Sequence, residues 1–451
     1  KDRIHVSVEG PSDPNNWTRD KDVLDTWASS WLWPMGVHSW PSQSEELKKF
    51  YPTDTLVTGP DIIFFWVARM IITGCEFMDE IPFKDVYFTS ILRDETGKKL
   101  SKSLGNSPDP IELFKEFGTD AVRFGIMLMA PQGLDVLFSK DRLGIGRNFM
   151  NKLWNACRFI EMNIDMDVNQ DPELQNLDLS DKWILDRLTN MVNDYNSQMD
   201  RFHFNEAAKV LYEFTWNDFC DWYLEIAKIR FYGEDDFQSN TVRSVSLKCI
   251  RTVLTLLHPF APFITEELWH HFSVKGSSDL IISNWIFEEN LSDPHAKENM
   301  DILKELITSI RSIRSRMNVP HGKNIDLVVR CTDEQTGFLN NHQDLIESLC
   351  RVENISTGVK IEKPMQSATA VCVGMEVYIP LQGVVDLDEE KRRMKKRISE
   401  IERLLNGINS KLSNENFLER APDIVINKER SNLNKLNEEL EKITSNMDML
   451  E

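Results

Sequence analysis

The first regular hydrophobic pattern appears near residue 51, after a start whose prolines and scattered aromatic residues favour irregular structure. Residues 55–58 form a short β-prone run, and residues 85–90 form a second one. Between them, an apolar stretch begins after Asp61, and Gly74 follows it. An acidic residue before such a stretch and a glycine after it are typical of a helix, so we predict a helix that ends at Gly74. A strand, a helix and a strand in this order predict a βαβ unit with a parallel sheet, whose ligands bind at the carboxyl ends of the strands.

Helical periodicity dominates residues 109–300 and predicts an α-helical bundle. Pro259 and Pro262 predict a break in its last long helical stretch, where His258 is interpreted as a core residue with a satisfied ring. Residues 301–385 combine one helix with β-prone runs at 325–331, 368–374 and 376–381, which predicts a small α/β domain.

The last segment carries two heptad patterns separated by a polar stretch. Their apolar positions are Met394, Ile398, Ile401, Leu405, Ile408 and Leu412, followed by Leu433, Leu436, Leu440, Ile443, Met447 and Leu450. The intervening Asn414, Asn416 and Pro422 cannot continue a single helix. We therefore predict an antiparallel coiled-coil hairpin over residues 386–451, with a first helix about 40 Å long that can reach a large partner.

Composition restricts the classes of function. The 451 residues carry a formal net charge of −20, so an RNA-binding role requires local basic patches on an acidic body. Two candidate patches are present, and for each of them an RNA-binding role and a merely solvated helix face are equally good explanations. They are Lys391, Arg392, Arg393, Lys395, Lys396 and Arg397, and the sparser Arg311, Arg314 and Arg316.

The cysteines and the hydrophobic runs add two expectations. The seven cysteines include no C-x-x-C pair, so no structural metal is expected and a reducing cytoplasm is the predicted location. No apolar run reaches the roughly 18 residues of a membrane span.

The most specific candidate chemistry lies in residues 97–106, a glycine-flanked loop with three lysines and two serines. Lysine side chains supply positive charge for phosphate groups, and serine hydroxyls and backbone amides supply hydrogen-bond donors. Such a loop could stabilise the charge that develops on pyrophosphate during reaction at an ATP α-phosphate. From the residues alone, an exposed polar loop without function is the more common explanation.

This loop resembles a motif of the class I aminoacyl-tRNA synthetases. Lys99-Leu100-Ser101-Lys102-Ser103 is similar to the KMSKS motif, with leucine in place of methionine. The resemblance implies that Lys99 and Lys102 are catalytic and stabilise the triphosphate of ATP, bound with Mg²⁺. The implied ATP-binding residues are Gly59, Asp61, Lys99, Ser101, Lys102 and Ser103, with Asp61 on the ribose.

Residues 22–34 and 61–70 resemble the valyl-specific enzymes of this family, apart from Ala28, where phenylalanine is usual. The resemblance implies that Trp27, Ile62 and Trp66 wall the pocket for the valine side chain. A pocket walled by two indoles is rigid and can exclude a side chain that is one methylene too large. Without the resemblance, both tryptophans would be interpreted as ordinary core residues.

The helical region and the tail also resemble this family. The resemblance implies an anticodon-binding bundle and a coiled-coil arm, with tRNA(Val) as partner. The implied tRNA-binding residues are Arg147, Lys152, Arg158, Phe159, Lys391, Arg392, Arg393, Lys395, Lys396 and Arg397. Phe159 is interpreted equally well as a core residue.

The predicted fold class is α/β followed by mostly α. It comprises the partial Rossmann-like catalytic domain over residues 1–140, the anticodon-binding bundle over 141–300, the small α/β domain over 301–385 and the arm over 386–451. A monomer without membrane contact is expected.

None of the nine histidines begins the family's HIGH motif, and the editing domain is absent except for a trailing edge in residues 1–20. We therefore predict that this chain, a C-terminal part, does not activate valine by itself. Two alternatives to a valine–tRNA ligase stay open: an isoleucyl-type class I synthetase and a non-catalytic tRNA-binding module.

Overall fold

The computed structural model describes residues 4–448, apart from residues 131–132, 165–173, 234, 274–277, 288–289 and 415–422. A few further side chains, among them that of Lys102, lie outside the described part. The chain divides into two compact units, one of residues 1–148 with 197–209 and one of residues 149–196 with 210–451.

In the first unit, the predicted βαβ pattern forms. Strand β1 (Thr53–Thr58) pairs in parallel with β2 (Phe83–Phe88), and Thr58 lies opposite Phe88. The connection between them starts as a 3₁₀ turn at Pro60–Ile62, continues as a π-helical turn at Ile63–Val67, and becomes an α-helix at Ala68–Met78. Proline follows Gly59 directly, which suits the first turn of a helix because that position needs no amide donor.

The predicted end of this helix at Gly74 is wrong. The helix continues to Met78 and ends at Asp79, whose φ of +55° is left-handed. A Cβ atom on Gly74 would lie 2.8 Å from the Tyr51 hydroxyl and 2.9 Å from Pro82 Cδ. Gly74 is therefore required by close packing inside the helix and does not act as a helix stop.

The rest of the first unit is built from short elements. The start of the chain is less irregular than predicted, because the described residues before 51 include three short α-helices. These are Trp27–Ser30, Trp33–Gly36 and Glu45–Phe50. After β2, strand β3 (Leu92–Arg93) pairs in parallel with β4 (Val136–Leu137), and the helices Pro110–Phe117 and Thr119–Met129 lie between them in sequence.

The second unit contains the long helices that the periodicity predicts. The first of these helices are Lys140–Glu161 and Leu179–Asp200, most of whose residues belong to this unit. Residues 204–231 form one continuous helical stretch, as Phe204–Glu213, a π-helical segment at Phe214–Tyr223, and Leu224–Phe231. The later helices are Asp236–Leu257, Pro262–Phe272 and Pro294–Arg316.

The predicted helix break is present between Leu257 and Pro262. Pro262 occupies the first turn of the following helix, where its missing amide proton costs nothing. The ring of His258 is satisfied, as predicted, because its Nδ1 lies 2.8 Å from Thr265 Oγ1.

The small α/β part contains the strands β5 (Ile325–Arg330), β6 (Val352–Gly358), β7 (Ser367–Cys372) and β8 (Met375–Pro380), which form a four-stranded sheet in the order β6-β5-β8-β7. The predicted runs correspond to β5, β7 and β8. Strand β6 was not predicted, nor were the helices Asp333–Asn341 and Gln343–Cys350 that precede it. Strand β6 is an edge strand parallel to β5, and its polar sequence gives only a weak hydrophobic signal.

The two heptad segments form helices at Leu387–Leu412 and Asp423–Asp448. Arg397 Nη2 lies 2.8 Å from Glu439 Oε1, and Lys411 Nζ lies 3.0 Å from Glu429 Oε1. Lys411, which follows Arg397 on the first helix, thus pairs with Glu429, which precedes Glu439 on the second helix. None of the helices in the described part is both long and apolar enough to cross a bilayer.

A buried polar cluster connects the helices Leu179–Asp200 and Leu224–Phe231. Asp181 is fully buried, and its carboxylate accepts hydrogen bonds from both terminal nitrogens of Arg230, at 2.5 and 2.7 Å. The Tyr223 hydroxyl donates to the same carboxylate at 2.8 Å. Since both charges are withdrawn from water, each depends on the other for its solvation.

We predict that Arg230→Ala lowers the free energy of unfolding of the second unit by about 3–5 kcal/mol, because Asp181 is left buried and unpaired. Urea unfolding followed by tryptophan fluorescence measures this change. The control is Lys297→Ala, which removes an exposed ion pair with Asp301 and should cost less than about 1 kcal/mol. Equal effects of the two substitutions would contradict the account.

Candidate active site

The loop of residues 97–106, called the lysine loop below, is held in place by the carboxylate of Asp94 and the side-chain amide of Asn106. The Asp94 carboxylate accepts hydrogen bonds from the amides of Thr96 and Lys98, both at 2.9 Å, and from the Asn106 side chain at 2.8 Å. Asn106 also accepts a bond from the Ser101 amide at 2.9 Å. The Thr96 hydroxyl also donates to Asp94, at 2.7 Å, and this bond, followed by those from the Asn106 side chain and the Lys98 amide, holds the pKa of Asp94 well below its usual range. Asp94 and Asn106 thus connect the two ends of the loop.

Within the loop, the two serines contact each other. Ser101 Oγ lies 2.6 Å from Ser103 Oγ, and the Ser103 amide donates to Ser101 Oγ at 3.2 Å. The backbone of Lys102 begins a 3₁₀ turn that ends at Leu104. The side chain of Lys102, the leading predicted catalytic group, lies outside the described residues.

Lys99 contacts the loop that follows β1. Its Nζ lies 3.0 Å from Asp61 Oδ2, and both side chains are about half exposed. The hydrogen bond from Lys99 and its positive charge lower the pKa of Asp61. Gly59 permits this arrangement, because a Cβ at that position would lie 2.7 Å from Asp61 Oδ1. The structure thus brings Gly59, Asp61 and Lys99 together.

The predicted pocket residues lie on two adjacent elements. Trp66 Nε1 donates to the Ser30 carbonyl at 2.8 Å, which fixes the indole against the helix Trp27–Ser30. The Trp27 ring stacks on Phe65, with the ring centres 6.1 Å apart. Ile62 and both indoles are partly buried. Since Asp61 and Ile62 are consecutive, the contact between Lys99 and Asp61 lies at the start of the helical segment that carries Trp66.

Sequence reasoning missed the polar groups that support this arrangement. Arg69 Nη1 lies 2.6 Å from Asp25 Oδ2, and the Arg69 guanidinium lies 5.5 Å from the centre of the Trp31 ring. This ion pair lowers the pKa of Asp25. Asp94 and Asn106 were equally unassigned, although Asp94-Glu95-Thr96-Gly97 carries a recognisable turn signal.

The residues predicted to bind RNA from the first bundle helix are largely engaged with protein groups. The Arg147 guanidinium lies 5.7 Å from the centre of the Phe117 ring. Lys152 forms an ion pair with Asp221 and lies 4.2 Å from the centre of the Trp216 ring. Phe159 packs edge-on against Phe231. Arg158 is exposed.

The basic run of the tail divides into two groups. Arg397 pairs with Glu400 and Glu439, so its charge is compensated. Arg392 donates to the Asp388 carbonyl at 3.2 Å. Lys395 and Lys396 are exposed, and neither forms an ion pair within the part of the tail that the structure describes. Arg393 is also exposed, and Lys391 is partly buried.

One group of side chains has ligand atoms suited to a metal. Glu266, His270 and Asp279 each place such an atom within 4.8 Å of the others. The Glu266 carboxylate already accepts hydrogen bonds from the amides of Leu280 and Ile281, at 2.7 and 3.2 Å. Its position is therefore explained by backbone contacts.

We predict that Asn106→Ala loosens the lysine loop without unfolding its unit. Loss of the bonds to Asp94 and Ser101 should raise the rate of the first tryptic cut within residues 98–102 by about tenfold. Mass spectrometry of brief digests measures this rate. The control is Glu95→Ala, an exposed side chain on the same turn, which should leave the rate unchanged. An unchanged rate in Asn106→Ala would show that Asn106 does not restrain the loop.

Three protein-family models match the chain. The model described as tRNA synthetases class I (I, L, M and V) matches residues 3–139, which include the candidate active site. The model for the anticodon-binding domain of tRNA ligase matches residues 181–329. The model for the valyl tRNA synthetase tRNA binding arm matches residues 386–451.

Individual proteins are similar over almost the whole chain. The valine–tRNA ligase of Bacillus subtilis (strain 168) is 41% identical over 432 residues, which are 95% of this chain and 49% of that protein. That of Syntrophotalea carbinolica is 42% identical over 440 residues, 96% of this chain and 49% of that protein. The chain thus spans about half the length of the curated relatives it matches.

One solved structure shows the fold. The agnB2 LeuRS of Agrobacterium radiobacter K84, in a ternary complex with tRNA and LeuAMS, superposes with a TM-score of 0.51 at 20% identity. The match covers 68% of this chain and 41% of that one. The mostly helical architecture with small sheets is therefore that of a class I synthetase. With valine–tRNA ligases aligned over about 95% of its length and three family models matching separate parts of it, the chain belongs to the valyl-tRNA synthetase family of class I aminoacyl-tRNA synthetases.

Proposed function

We propose that the protein carrying this chain is a valine–tRNA ligase. A valine carboxylate oxygen attacks the α-phosphorus of ATP and pyrophosphate leaves. A ribose hydroxyl of tRNA(Val) then attacks the carbonyl carbon of the adenylate, which forms the ester and releases AMP. The observation that carries the proposal is the contact between Lys99 and Asp61 at the start of the helical segment that holds Trp66. The valine–tRNA ligases that match 95% of the chain support the same activity.

In this proposal, Lys99 and Lys102 stabilise the negative charge that develops on pyrophosphate as it leaves. Ser101, Ser103 and the backbone amides of the loop donate hydrogen bonds to phosphate oxygens. Asp61, beside Gly59, accepts hydrogen bonds from the ribose. Asp61 and Lys99 must then exchange their mutual ion pair for contacts with ATP, which is expected as its Mg²⁺ complex.

The amino acid is selected by Trp27, Ile62 and Trp66. The hydrogen bond from Trp66 to the Ser30 carbonyl and the stacking of Trp27 on Phe65 restrain both indoles. A rigid wall excludes isoleucine, whose extra methylene needs room, at a discrimination of roughly 10–200-fold.

The remaining parts serve tRNA(Val) in this proposal. The catalytic part covers residues 1–140, the anticodon-binding bundle covers 141–300, the small α/β domain covers 301–385 and the arm covers 386–451. The arm is an antiparallel coiled-coil hairpin, supported by the reversed order of the ion pairs that link its helices. We further propose a cytoplasmic monomer.

Valine-dependent ATP–pyrophosphate exchange by the protein that carries this chain tests the activity. We predict that Lys99→Ala lowers kcat by about 10²–10³, because one positive charge at the leaving pyrophosphate is lost. Trp66→Ala should mainly raise KM for valine and admit isoleucine. The matched control is Lys98→Ala, the neighbouring exposed lysine of the same loop, which should retain activity. Exchange that depends on isoleucine instead of valine would refute the valine specificity, and unchanged exchange in Lys99→Ala would refute its role.

Binding of tRNA(Val) to the 451-residue chain tests the arm. We predict that Lys395→Gln with Lys396→Gln weakens binding and reduces the slope of log K against log salt by up to about 1.8, because two uncompensated charges are removed. The control is Lys435→Gln, an exposed lysine on the facing helix. Arg397→Gln should have a smaller effect on the slope, since its charge is already paired with Glu400 and Glu439. Equal slopes in all variants would exclude the basic run from the interface.

A further inference from the structure

A cavity of about 610 Å³ lies in the second unit, where two helices end. Its wall is formed by the last turn of Pro294–Arg316 with the residues that follow, and by the last turn of Gln343–Cys350 with Arg351. Three arginines and His321 line it, together with serine and asparagine side chains, and no carboxylate is among the lining residues. The cavity is therefore positively charged although the whole chain carries −20.

Two of these arginines are oriented by backbone carbonyl groups. Arg311 donates to the Leu349 carbonyl from Nη2 at 3.1 Å. Arg314 donates to the Cys350 carbonyl at 3.2 Å and to the Lys323 carbonyl at 2.7 Å. The contacts with the Leu349 and Cys350 carbonyls alone could be explained as capping of the helix that ends at Cys350. Each guanidinium nevertheless carries five N–H donors, so both retain donors beyond the carbonyl contacts.

The third arginine is not explained by capping. Arg351 has a left-handed backbone, with φ at +52°, in a position after a helix where glycine is usually favoured. Its side chain lines the cavity, and the described residues offer it no ion-pair partner. The pKa of Arg314 is lowered, first by burial, and the positive charge of Arg351 adds to this effect.

The charges at this cavity do not balance. Each helix carboxyl terminus contributes roughly half a negative charge, so the two that end here contribute about one. The three guanidinium groups contribute three positive charges, and no carboxylate of the described residues forms an ion pair with them. Clustered arginines with free donors and surplus charge match the oxygen atoms and the charge of phosphate groups.

We propose that this cavity, lined by Arg311, Arg314 and Arg351, is a phosphate-binding site that takes phosphodiester groups of an RNA strand. The inference rests on the proposed function, because it assumes that the chain binds tRNA. RNA is the favoured source of phosphate for two reasons. An acidic protein needs such local positive sites to hold a polyanion, and residues 311–321 belong to the segment that matches the anticodon-binding model.

The test uses Arg351→Gly in the 451-residue chain, because this variant separates binding from folding. Glycine accepts the left-handed backbone, so thermal stability should be unchanged or higher. The affinity for a tRNA(Val) transcript should fall by about tenfold, and the salt slope should decrease by about 0.9. The matched control is Lys360→Gln, an exposed lysine that follows the next strand and does not line the cavity. It should leave affinity and slope unchanged.

A second variant, Arg351→Lys, separates the effect of the charge of Arg351 from that of its shape. A second probe, inorganic pyrophosphate, distinguishes an RNA site from a site for free phosphate compounds. Arg351→Lys should retain most of the salt slope, because the charge remains. Inorganic pyrophosphate should bind to the unmodified chain more tightly than to Arg351→Gly, and it should compete with tRNA.

If the chain binds tRNA and Arg351→Gly binds it equally well, the RNA site is refuted while the proposed function stands. If pyrophosphate binds in an Arg351-dependent manner without competing with tRNA, the cavity serves a free phosphate compound and the RNA assignment is wrong. If the chain binds no tRNA, both this inference and the proposed tRNA contacts fail.

Discussion

The candidate active site depends on the parallel ladder between β1 and β2. Because Thr58 pairs with Phe88, both strands end at the same edge of the sheet, and the Thr89 amide donates to the Thr58 carbonyl at 2.9 Å. Gly59 and Asp61 follow β1, whereas the short strand β3 and then the lysine loop follow β2. A parallel pair also requires a crossover, and the helical segment that supplies it carries Ile62 and Trp66. One pairing therefore brings together the proposed phosphate-binding and side-chain-binding groups from two stretches of sequence, residues 59–66 and 97–106.

The sequence was sufficient for elements whose pattern is strong and local. Strands β1 and β2, the long bundle helices and the break before Pro262 were predicted because hydrophobic period and proline geometry act within one segment. Gly74 was misassigned because its role is set by Tyr51 and Pro82, which are distant in sequence. Strand β6 was missed because an edge strand buries little and needs few apolar residues.

The sequence proposed members for the candidate site, but it did not predict the contacts between them. Lys99 and Asp61 were each identified, yet their ion pair depends on the ladder, which no motif encodes. Asp94 and Asn106 escaped notice because their function is to hold the loop, and a side chain that bonds backbone amides has no distinctive spacing. The orientation of the Trp66 indole was not predictable either, because it depends on a hydrogen bond to the Ser30 carbonyl, which is distant in sequence.

Counting basic residues in a sequence overestimates the charge available for RNA. Lys152 is neutralised by Asp221, and Arg397 is neutralised by Glu439, so neither can release many counterions on binding. Lys395, Lys396 and Arg351 keep their charge uncompensated within the described residues. In a chain of net charge −20, long-range attraction cannot bring a polyanion to the surface, and screening confines each charge to about 10 Å at 0.1 M salt. The proposed affinity for RNA must then come from the few places where positive charge exceeds its local partners, which makes the geometry of these places more informative than the number of basic residues.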